Sequence, residues 1–275
     1  MSTAVGESFL DVLLRRRRKA PDDTPAASAR CQVCQSPAPL LDTVDFNKSC
    51  GDITGRRLPP SGTSVRYHLC SVCGFCFAPE IQAWSREQFA DSIYNDDYRF
   101  VDPEYVRDRP LGNARTLNDA FGGSKQHLRH LDYGGGSGLL SATLRELGWN
   151  SASYDPFVDV STNARDLGTY DLVTAFEVFE HVPDIQVLLE ELDALCRPDG
   201  LILFSTLLSD GQIAFGRKLT WWYASPRNGH ISLFSTNSLT RWLSGKGLQV
   251  ASMNANVHVA CRTLPQWAEH LVGRA

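Results

Sequence analysis

His130-Leu131-Asp132-Tyr133-Gly134-Gly135-Gly136-Ser137-Gly138-Leu139-Leu140 is the stretch that decides the fold. A short apolar run passes through a glycine turn into Leu139–Leu147, where apolar residues recur at helical spacing, so the order is strand, tight turn, helix. Glycines at 134, 136 and 138 let the chain turn sharply and approach a ligand without a Cβ in the way, and the helix start presents unpaired amide donors. The dinucleotide fingerprint is G-x-G-x-x-G, whereas here the pattern is Asp132-x-Gly134-x-Gly136-x-Gly138. Asp155, 23 residues beyond Asp132 and at the end of Ser151–Tyr154, is placed to accept two ribose hydroxyls. Together they point to a nucleoside-type ligand; the alternative is a structural turn that happens to be glycine-rich.

Outward from this stretch, short apolar runs alternate with helical patterns from about 127 onward, the signature of parallel strands joined by crossover helices. The pattern predicts strands near 129–133, 150–155, 171–177, 200–206, 248–254 and 257–263, and helices over 138–148, 184–196 and 236–246. Ser235 or Asn237 caps the last helix, and Gly245 and Gly247 stop it.

The glycine stretch resembles motif I of class I S-adenosylmethionine-dependent methyltransferases. Tyr170-Asp171-Leu172-Val173-Thr174-Ala175-Phe176-Glu177-Val178-Phe179-Glu180-His181-Val182-Pro183 is similar to motif II and its continuation in that superfamily, and Arg197-Pro198-Asp199-Gly200 resembles the turn that leads into its next strand. The resemblance covers roughly 127–263 and implies an α/β fold, a Rossmann-like seven-stranded core with S-adenosylmethionine as cofactor. It assigns cofactor contacts to Asp132, Gly134, Gly136, Gly138 and Asp155, to Asn163 and Ala164 at the adenine loop, to Phe176 and Glu177, and to Tyr98 over the methionine end, the other reading of Tyr98 being helix packing.

Methyl transfer from a sulfonium is an in-line displacement, so the protein chiefly holds nucleophile and methyl together, with a general base where the acceptor is a hydroxyl. Two histidines suit that base: His181, just past the strand at 171–177, and His230, in the loop after the strand at 200–206. Ligands of open α/β sheets sit outside the strands' carboxyl ends, so both can face one cleft. His181 serves equally well to fix its loop. His230 is preferred, because Trp221-Trp222-Tyr223-Ala224-Ser225-Pro226-Arg227-Asn228-Gly229 precedes it. Aromatic faces beside Arg and Asn suit a polyhydroxylated acceptor, with Trp222, Tyr223, Arg227 and Asn228 as its contacts; the same aromatics also suit the core of a lid.

Cys31-x-x-Cys34 and Cys70-x-x-Cys73 have the spacing of two zinc knuckles, and four thiolates make a closed tetrahedral site, which is structural because catalysis needs an open position. Cys50 and Cys76 are extra, with Cys76 an alternative to Cys73 as the fourth ligand; the other reading is reduced buried thiols. A two-knuckle module ahead of a methyltransferase core resembles zinc-containing bacterial sugar and polysaccharide methyltransferases. That resemblance implies a carbohydrate or glycosylated small-molecule acceptor, with oxygen preferred over carbon. The alternatives are C- or O-methylation of a natural product or nucleotide-sugar, and a non-catalytic binding protein that uses the zinc module.

Composition bounds the rest. The 275 residues, 43% hydrophobic and 21% charged, match ordinary globular chains rather than disordered, collagenous or coiled-coil ones. A net charge of −4, with basic and acidic residues balanced across 30–80, argues against a nucleic-acid partner. No apolar run approaches the roughly 18 residues of a spanning helix. Phe9–Leu14 precede the basic Arg15–Lys19, the reverse of a secretory signal, so a cytoplasmic location is expected. The expected organisation is a flexible tail over 1–29, a loop-rich zinc-binding module over 30–80, a helical connector or lid over 81–126 and the methyltransferase domain over 127–275. The oligomeric state is open.

Overall fold

The computed structural model describes residues 28–271. Most of the tail, with its basic run, lies outside the described residues. Ser28–Arg30 already form strand β1, so the tail expected to reach residue 29 ends earlier. The cysteine-rich region carries more strand than its Gly and Pro content suggests: β2 spans Pro37–Asp45, β3 Ser64–Leu69 and β4 Cys76–Phe77. These pair antiparallel in the order β1-β2-β3-β4. Among the region's loops, Val65, Tyr67 and Leu69 alternate along β3 and bury one face.

Residues 79–121 form short helices α1 (Pro79–Gln82), α2 (Arg86–Ser92) and α3 (Tyr98–Val101) and the longer α4 (Asp108–Phe121). Ser85 and Gln88 form a reciprocal capping box on α2, satisfying two amides that no helical carbonyl reaches. Ala114, Leu117 and Phe121 give α4 one buried stripe.

The second sheet contains β5 (Arg129–Tyr133), β6 (Asn150–Tyr154), β7 (Tyr170–Phe176), β8 (Cys196–Ser205), β10 (Gln249–Ser252) and β11 (Val257–Cys261). Its order is β10-β11-β8-β7-β5-β6. Four strands are parallel, while β10 and β11 run antiparallel to their neighbours, so the expected parallel strands are the four that include the glycine turn. The expected seven strands become six among the described residues. The stretch 155–169 pairs with nothing in the sheet: Pro156 lacks an amide donor, Val158 and Val160 face solvent, and a single 3-10 turn, Ala164–Leu167, occupies its end.

Crossover helices α5 (Leu139–Glu146) and α6 (Ile185–Leu195) and the later α7 (Thr236–Ser244) fall where the periodicity puts them. Ile185, Leu188, Leu189, Leu192 and Leu195 form the buried stripe of α6, and the Asp184 side chain accepts the amides of Gln186 and Val187 as its cap. Ser235, not Asn237, caps α7, in a box with Ser238.

The two sheets are not independent. Strand β9 (Ser232–Leu233), from the chain after β8, pairs with β4 and completes the first sheet. Phe75 and Phe77 share a core with Phe179, Phe204 and Phe234, and the stacked Phe179 and Phe204 rings have centroids 4.2 Å apart.

Candidate active site

At the end of β5 the chain enters the glycine loop with Gly134 at φ 72°, Gly136 at 54° and Gly138 at 74°. Two positions explain the glycines. A Cβ on Gly134 would lie 2.6 Å from Val178 Cγ2, and one on Gly135 would lie 2.3 Å from Ser153 Oγ and 2.6 Å from Asp132 Oδ2. Gly135 stands outside the alternating pattern, yet it is the most tightly enclosed position of the loop. Asp132 sits below the loop, where burial pushes its carboxyl up to about 7 while Thr174 Oγ1 donates to it at 2.8 Å. Asp155, at the carboxyl end of β6, faces the loop: the Gly136 amide donates to its Oδ2 at 2.9 Å and the Phe157 amide to its Oδ1 at 2.8 Å. The Asn163 side chain accepts the Arg165 amide at 3.0 Å, and Ala164 beside it is buried.

The next strand end carries Phe176 and Glu177. Glu177 has φ 53°, a conformation that costs an L-residue roughly 1–3 kcal/mol and persists only where neighbours over-determine it. Ser205 does so, since its hydroxyl donates to Glu177 Oε1 and accepts the Glu177 amide, both at 2.8 Å.

Beyond Glu177 lies a buried cluster of side chains assembled from four parts of the chain. The rings of His181 and His230 meet edge to face with centroids 4.8 Å apart, and His230 packs on Tyr223 at 4.2 Å. His230 Nδ1 is 2.8 Å from the Tyr223 carbonyl, which only accepts, so Nδ1 bears the proton and Nε2 keeps its lone pair. Burial lowers His181 to about 3, with Arg109 adding to the effect, and burial holds His230 well below its usual range, with His181 adding. Both imidazoles are neutral at pH 7. The Tyr94 hydroxyl is 3.2 Å from His181 Nδ1.

Glu180 is a member of the site that the motifs did not single out. It is fully buried; Tyr223 OH donates to its Oε1 at 2.6 Å, His181 Nε2 lies 3.8 Å from the same oxygen, and Oε2 has no protein partner among the described residues. Burial, then the charge of Glu177, pushes its carboxyl up to about 8. One ligand atom from each of Glu180, His181 and His230 falls within 4.8 Å of the others, a donor set that suits a shared proton or a divalent cation. The available signal is an acid inside the apolar run Val178–Val182, where an unpaired charge is rarely tolerated.

The residues assigned to the acceptor are not equally open. Trp222 is half-buried, whereas Tyr223, Arg227 and Asn228 are buried and bonded within the protein. Arg227 donates to the Ile93 carbonyl at 3.1 Å, and Asn228 Oδ1 accepts the Cys50 amide at 2.8 Å. Tyr98 is buried against the same loop, its hydroxyl donating to the Asn228 carbonyl at 3.2 Å. Lys48, from the first sheet's long loop, donates to the carbonyls of Trp221 and Ala224 at 2.5 and 2.6 Å; burial lowers it to about 8.

The four knuckle cysteines form a separate cluster. Cys31 and Cys73 sulfurs are 3.6 Å apart, Cys34 and Cys70 sulfurs 3.4 Å, and all four lie within 4.8 Å of one another. Tetrahedral thiolates at about 2.3 Å from zinc would be about 3.8 Å apart, so the cage has the size for that ion. Each knuckle turns through a left-handed residue directly after its second cysteine, Gln35 at φ 61° and Gly74 at 79°. Cys76 lies outside the cluster, in β4, and Cys50 Sγ is 3.9 Å from His230 Nδ1.

Similarity to known proteins falls on the same part of the chain. The family described as a methyltransferase domain matches residues 105–253. Ubiquinone biosynthesis O-methyltransferase of Burkholderia multivorans is 29% identical over 136 residues, 40% of this chain and 58% of that protein. The same-named protein of Colwellia psychrerythraea is 34% identical over 100 residues, 28% of this chain and 41% of that protein. The chain thus spans about half the length of the curated relatives it matches. Among solved structures, an O-methyltransferase family protein from Burkholderia thailandensis superposes with a TM-score of 0.46 at 16% identity, covering 67% of each chain. Human N-acetylserotonin methyltransferase in complex with SAM gives 0.45 at 18% identity, covering 64% of this chain and 59% of that one. With the family match spanning more than half of its residues and enclosing the glycine loop, Asp155 and the Glu180–His181 segment, the chain belongs to the methyltransferase domain family.

Proposed function

We propose that the chain transfers a methyl group from S-adenosylmethionine to a hydroxyl oxygen of a small molecule, and that a carbohydrate or glycosylated metabolite is the acceptor. The observation that carries the cofactor half is Asp155 facing the glycine loop, with its Oδ2 on the Gly136 amide at 2.9 Å. That carboxylate can exchange the amide for ribose hydroxyls, and Gly136, where a Cβ would meet nothing within 4 Å, leaves room for a ligand along the loop, while Gly134 and Gly135 pack against the protein itself. Asp132 supports the loop from below. Asn163 and Ala164 would border the adenine; Phe176, Glu177 and Tyr98 would border the methionine end. The fit is one of chemistry: an acid at a strand end, the Gly136 amide that it now accepts, and open space beside Gly136 where a Cβ would stand. When bound, the cofactor supplies an electrophilic methyl group on a sulfonium.

The rest falls to the chain's own residues. His230, proton on Nδ1 and lone pair on Nε2, takes the acceptor's hydroxyl proton, and His181 beside it is the second candidate. Trp222 offers an aromatic face to the acceptor, while Tyr223, Arg227 and Asn228 hold that loop in shape. Oxygen as the acceptor atom is supported by relatives named O-methyltransferases. Zinc in the Cys31, Cys34, Cys70 and Cys73 cage is structural, because four thiolates leave no open position. In this reading the cysteine module over 30–80 and the connector over 81–126 frame the acceptor side, and the region from 127 holds the cofactor.

The test is transfer of isotopic label from the methyl of S-adenosylmethionine to a panel of free sugars, glycosides and phenols, read by product mass. Labelled O-methyl glycosides are the expected product; label on phenols alone would move the acceptor away from carbohydrate. His230→Ala is expected to leave cofactor affinity unchanged and to lower turnover about 100-fold or more. Unchanged turnover would give the proton to His181.

A further inference from the structure

The two histidine segments are far apart in sequence, yet one side chain of the cysteine-rich region is tied to both. Gln32 lies inside the first knuckle, between Cys31 and Cys34. Its Nε2 donates to the Pro183 carbonyl at 2.9 Å and to Gln82 Oε1 at 3.2 Å. Its Oε1 accepts the Ile185 amide at 3.1 Å, and its backbone carbonyl accepts Gln186 Nε2 at 2.7 Å. Gln82 then donates to Ser232 Oγ at 2.8 Å, and Ser232 Oγ donates to the Val182 carbonyl at 2.8 Å. The bonds close a ring: Gln32, Gln82, Ser232, the Val182–Pro183 backbone, and back to Gln32. His181 directly precedes Val182, and His230 stands two residues before Ser232.

Helix capping does not account for this arrangement. The Asp184 side chain already takes the Gln186 and Val187 amides at the start of α6, so a cap needs from Gln32 at most the Ile185 bond. The two Nε2 bonds point elsewhere, one to the segment that follows His181 and the other, through Gln82, to the strand that follows His230. Each amide in the ring uses both ends at once, and a fully satisfied part-buried network of this kind fixes geometry more firmly than its separate bonds. Gln is also specific to the position: Asn is one methylene too short, and Glu keeps the acceptor while losing both donors.

We propose that Gln32 is a positioning residue, which sets His181 and His230 against each other from within the cysteine knuckle. The knuckle fixes the Gln32 backbone, and the ring passes that fixed point to both imidazole segments. The catalytic meaning of the pair rests on the function proposed above; the coupling itself does not.

The full chain labelled with 15N-histidine tests this by imidazole NMR, the seven histidines being assigned with the help of His181→Gln and His230→Gln. Gln32→Ala is expected to displace and broaden the ring resonances of His181 and His230 while those of His130 and His258, in the second sheet, stay in place. Gln32→Glu is expected to restore the Ile185 bond and not the ring resonances, a split that loss of capping alone would not give. Gln82→Ala opens the ring without touching the knuckle and is expected to move His230 more than His181; it decides the matter should Gln32→Ala fail to fold. His181 and His230 resonances that superpose on wild type in Gln82→Ala, or in a folded Gln32→Ala, overturn the proposal. Calorimetry with S-adenosylmethionine on the unmutated chain runs alongside: no binding there overturns the methyltransferase reading and leaves the NMR result for Gln32 standing.

Discussion

The two halves of the site are built in opposite ways. The glycine-loop half is local: β5, the loop and α5 follow one another without interruption, and Asp155 arrives one helix and one strand later. The imidazole half is assembled from distant segments, with Lys48 and Cys50 from the first sheet, Tyr94 and Tyr98 from the helical stretch, Glu180 and His181 after β7, and Tyr223 to His230 before β9. A local site keeps its shape through backbone geometry, chiefly glycines and strand ends. A composite one keeps its shape only while every contributing segment is docked, so the two halves respond differently to the same perturbation.

The sharpest separation comes from the cysteine cage. Removing a structural zinc ligand costs several kcal/mol, and both knuckles hold second-sheet helix starts: Gln32 reaches Ile185, and Ser235 Oγ donates to the Cys73 carbonyl at 2.8 Å. On the proposed reading of the cage as a zinc site, Cys70→Ser is expected to release the metal in native mass spectrometry and to lower the midpoint of thermal unfolding by more than about 5 °C. Its first loss is expected in hydrogen-exchange protection around Glu180–His181 and His230, with β5 and β6 still protected. Equal loss in both halves would remove the distinction.

His130 probes the local half through pH. It is buried in β5, with Nδ1 2.8 Å from Ser151 Oγ and Nε2 3.0 Å from Thr174 Oγ1, and burial lowers it to about 3 from 6.5. The folded pKa lies below the unfolded one, so the unfolded chain binds the extra proton between those values. Stability is therefore held above pH 6.5 and lost as pH falls toward 3. By pH 4 this one group accounts for about 3 kcal/mol. His130→Gln is expected to flatten the acid side of the unfolding profile by that amount, and an unchanged slope would place the acid sensitivity elsewhere.

Gly135→Ala strikes the loop without touching charge. Its Cβ would lie 2.3 Å from Ser153 Oγ, and the strain is expected to cost about 1–3 kcal/mol and to weaken S-adenosylmethionine in proportion to any loop shift. Full stability with full affinity would mean that the loop yields more freely than its enclosure suggests. The smallest effect is expected at Ser235→Ala, about 1 kcal/mol for the lost cap of α7, read by denaturant titration. A value near zero would mean that the Cys73 carbonyl finds another donor.

Legibility in the sequence follows the same division. The strand–glycine–helix unit and the α6 stripe each depend on residues within one or two turns, so composition and period suffice, whereas the sequence leaves the α7 cap open between Ser235 and Asn237, and the extended backbone at Ser235 decides it. Asp155 is legible because a strand end has a fixed relation to the loop beside it. The antiparallel β10 and β11 are not, because an apolar run has no direction, nor is the six-strand count among the described residues, because a fold pattern does not reveal which link a given chain leaves as turns. Glu180 is visible as an acid in an apolar run but has no meaning until Tyr223 and His230 arrive from 43 and 50 residues away. Likewise, Arg227 and Asn228 read as acceptor contacts from their chemistry alone, while the structure shows their polar atoms bonded to Ile93 and Cys50. Polarity in a loop is readable; the partner that satisfies it is not.

The most direct test of the central claim, that Asp155 and the glycine loop together hold S-adenosylmethionine, is isothermal titration of the full chain and of Asp155→Ala with that cofactor. Two hydrogen bonds to a charged carboxylate contribute about 1.5–3 kcal/mol each. The account predicts saturable one-to-one binding by the unmutated chain, and at least about 100-fold weaker binding by Asp155→Ala with its unfolding midpoint retained. Equal affinity in the two proteins, or no binding to the unmutated chain, would contradict it.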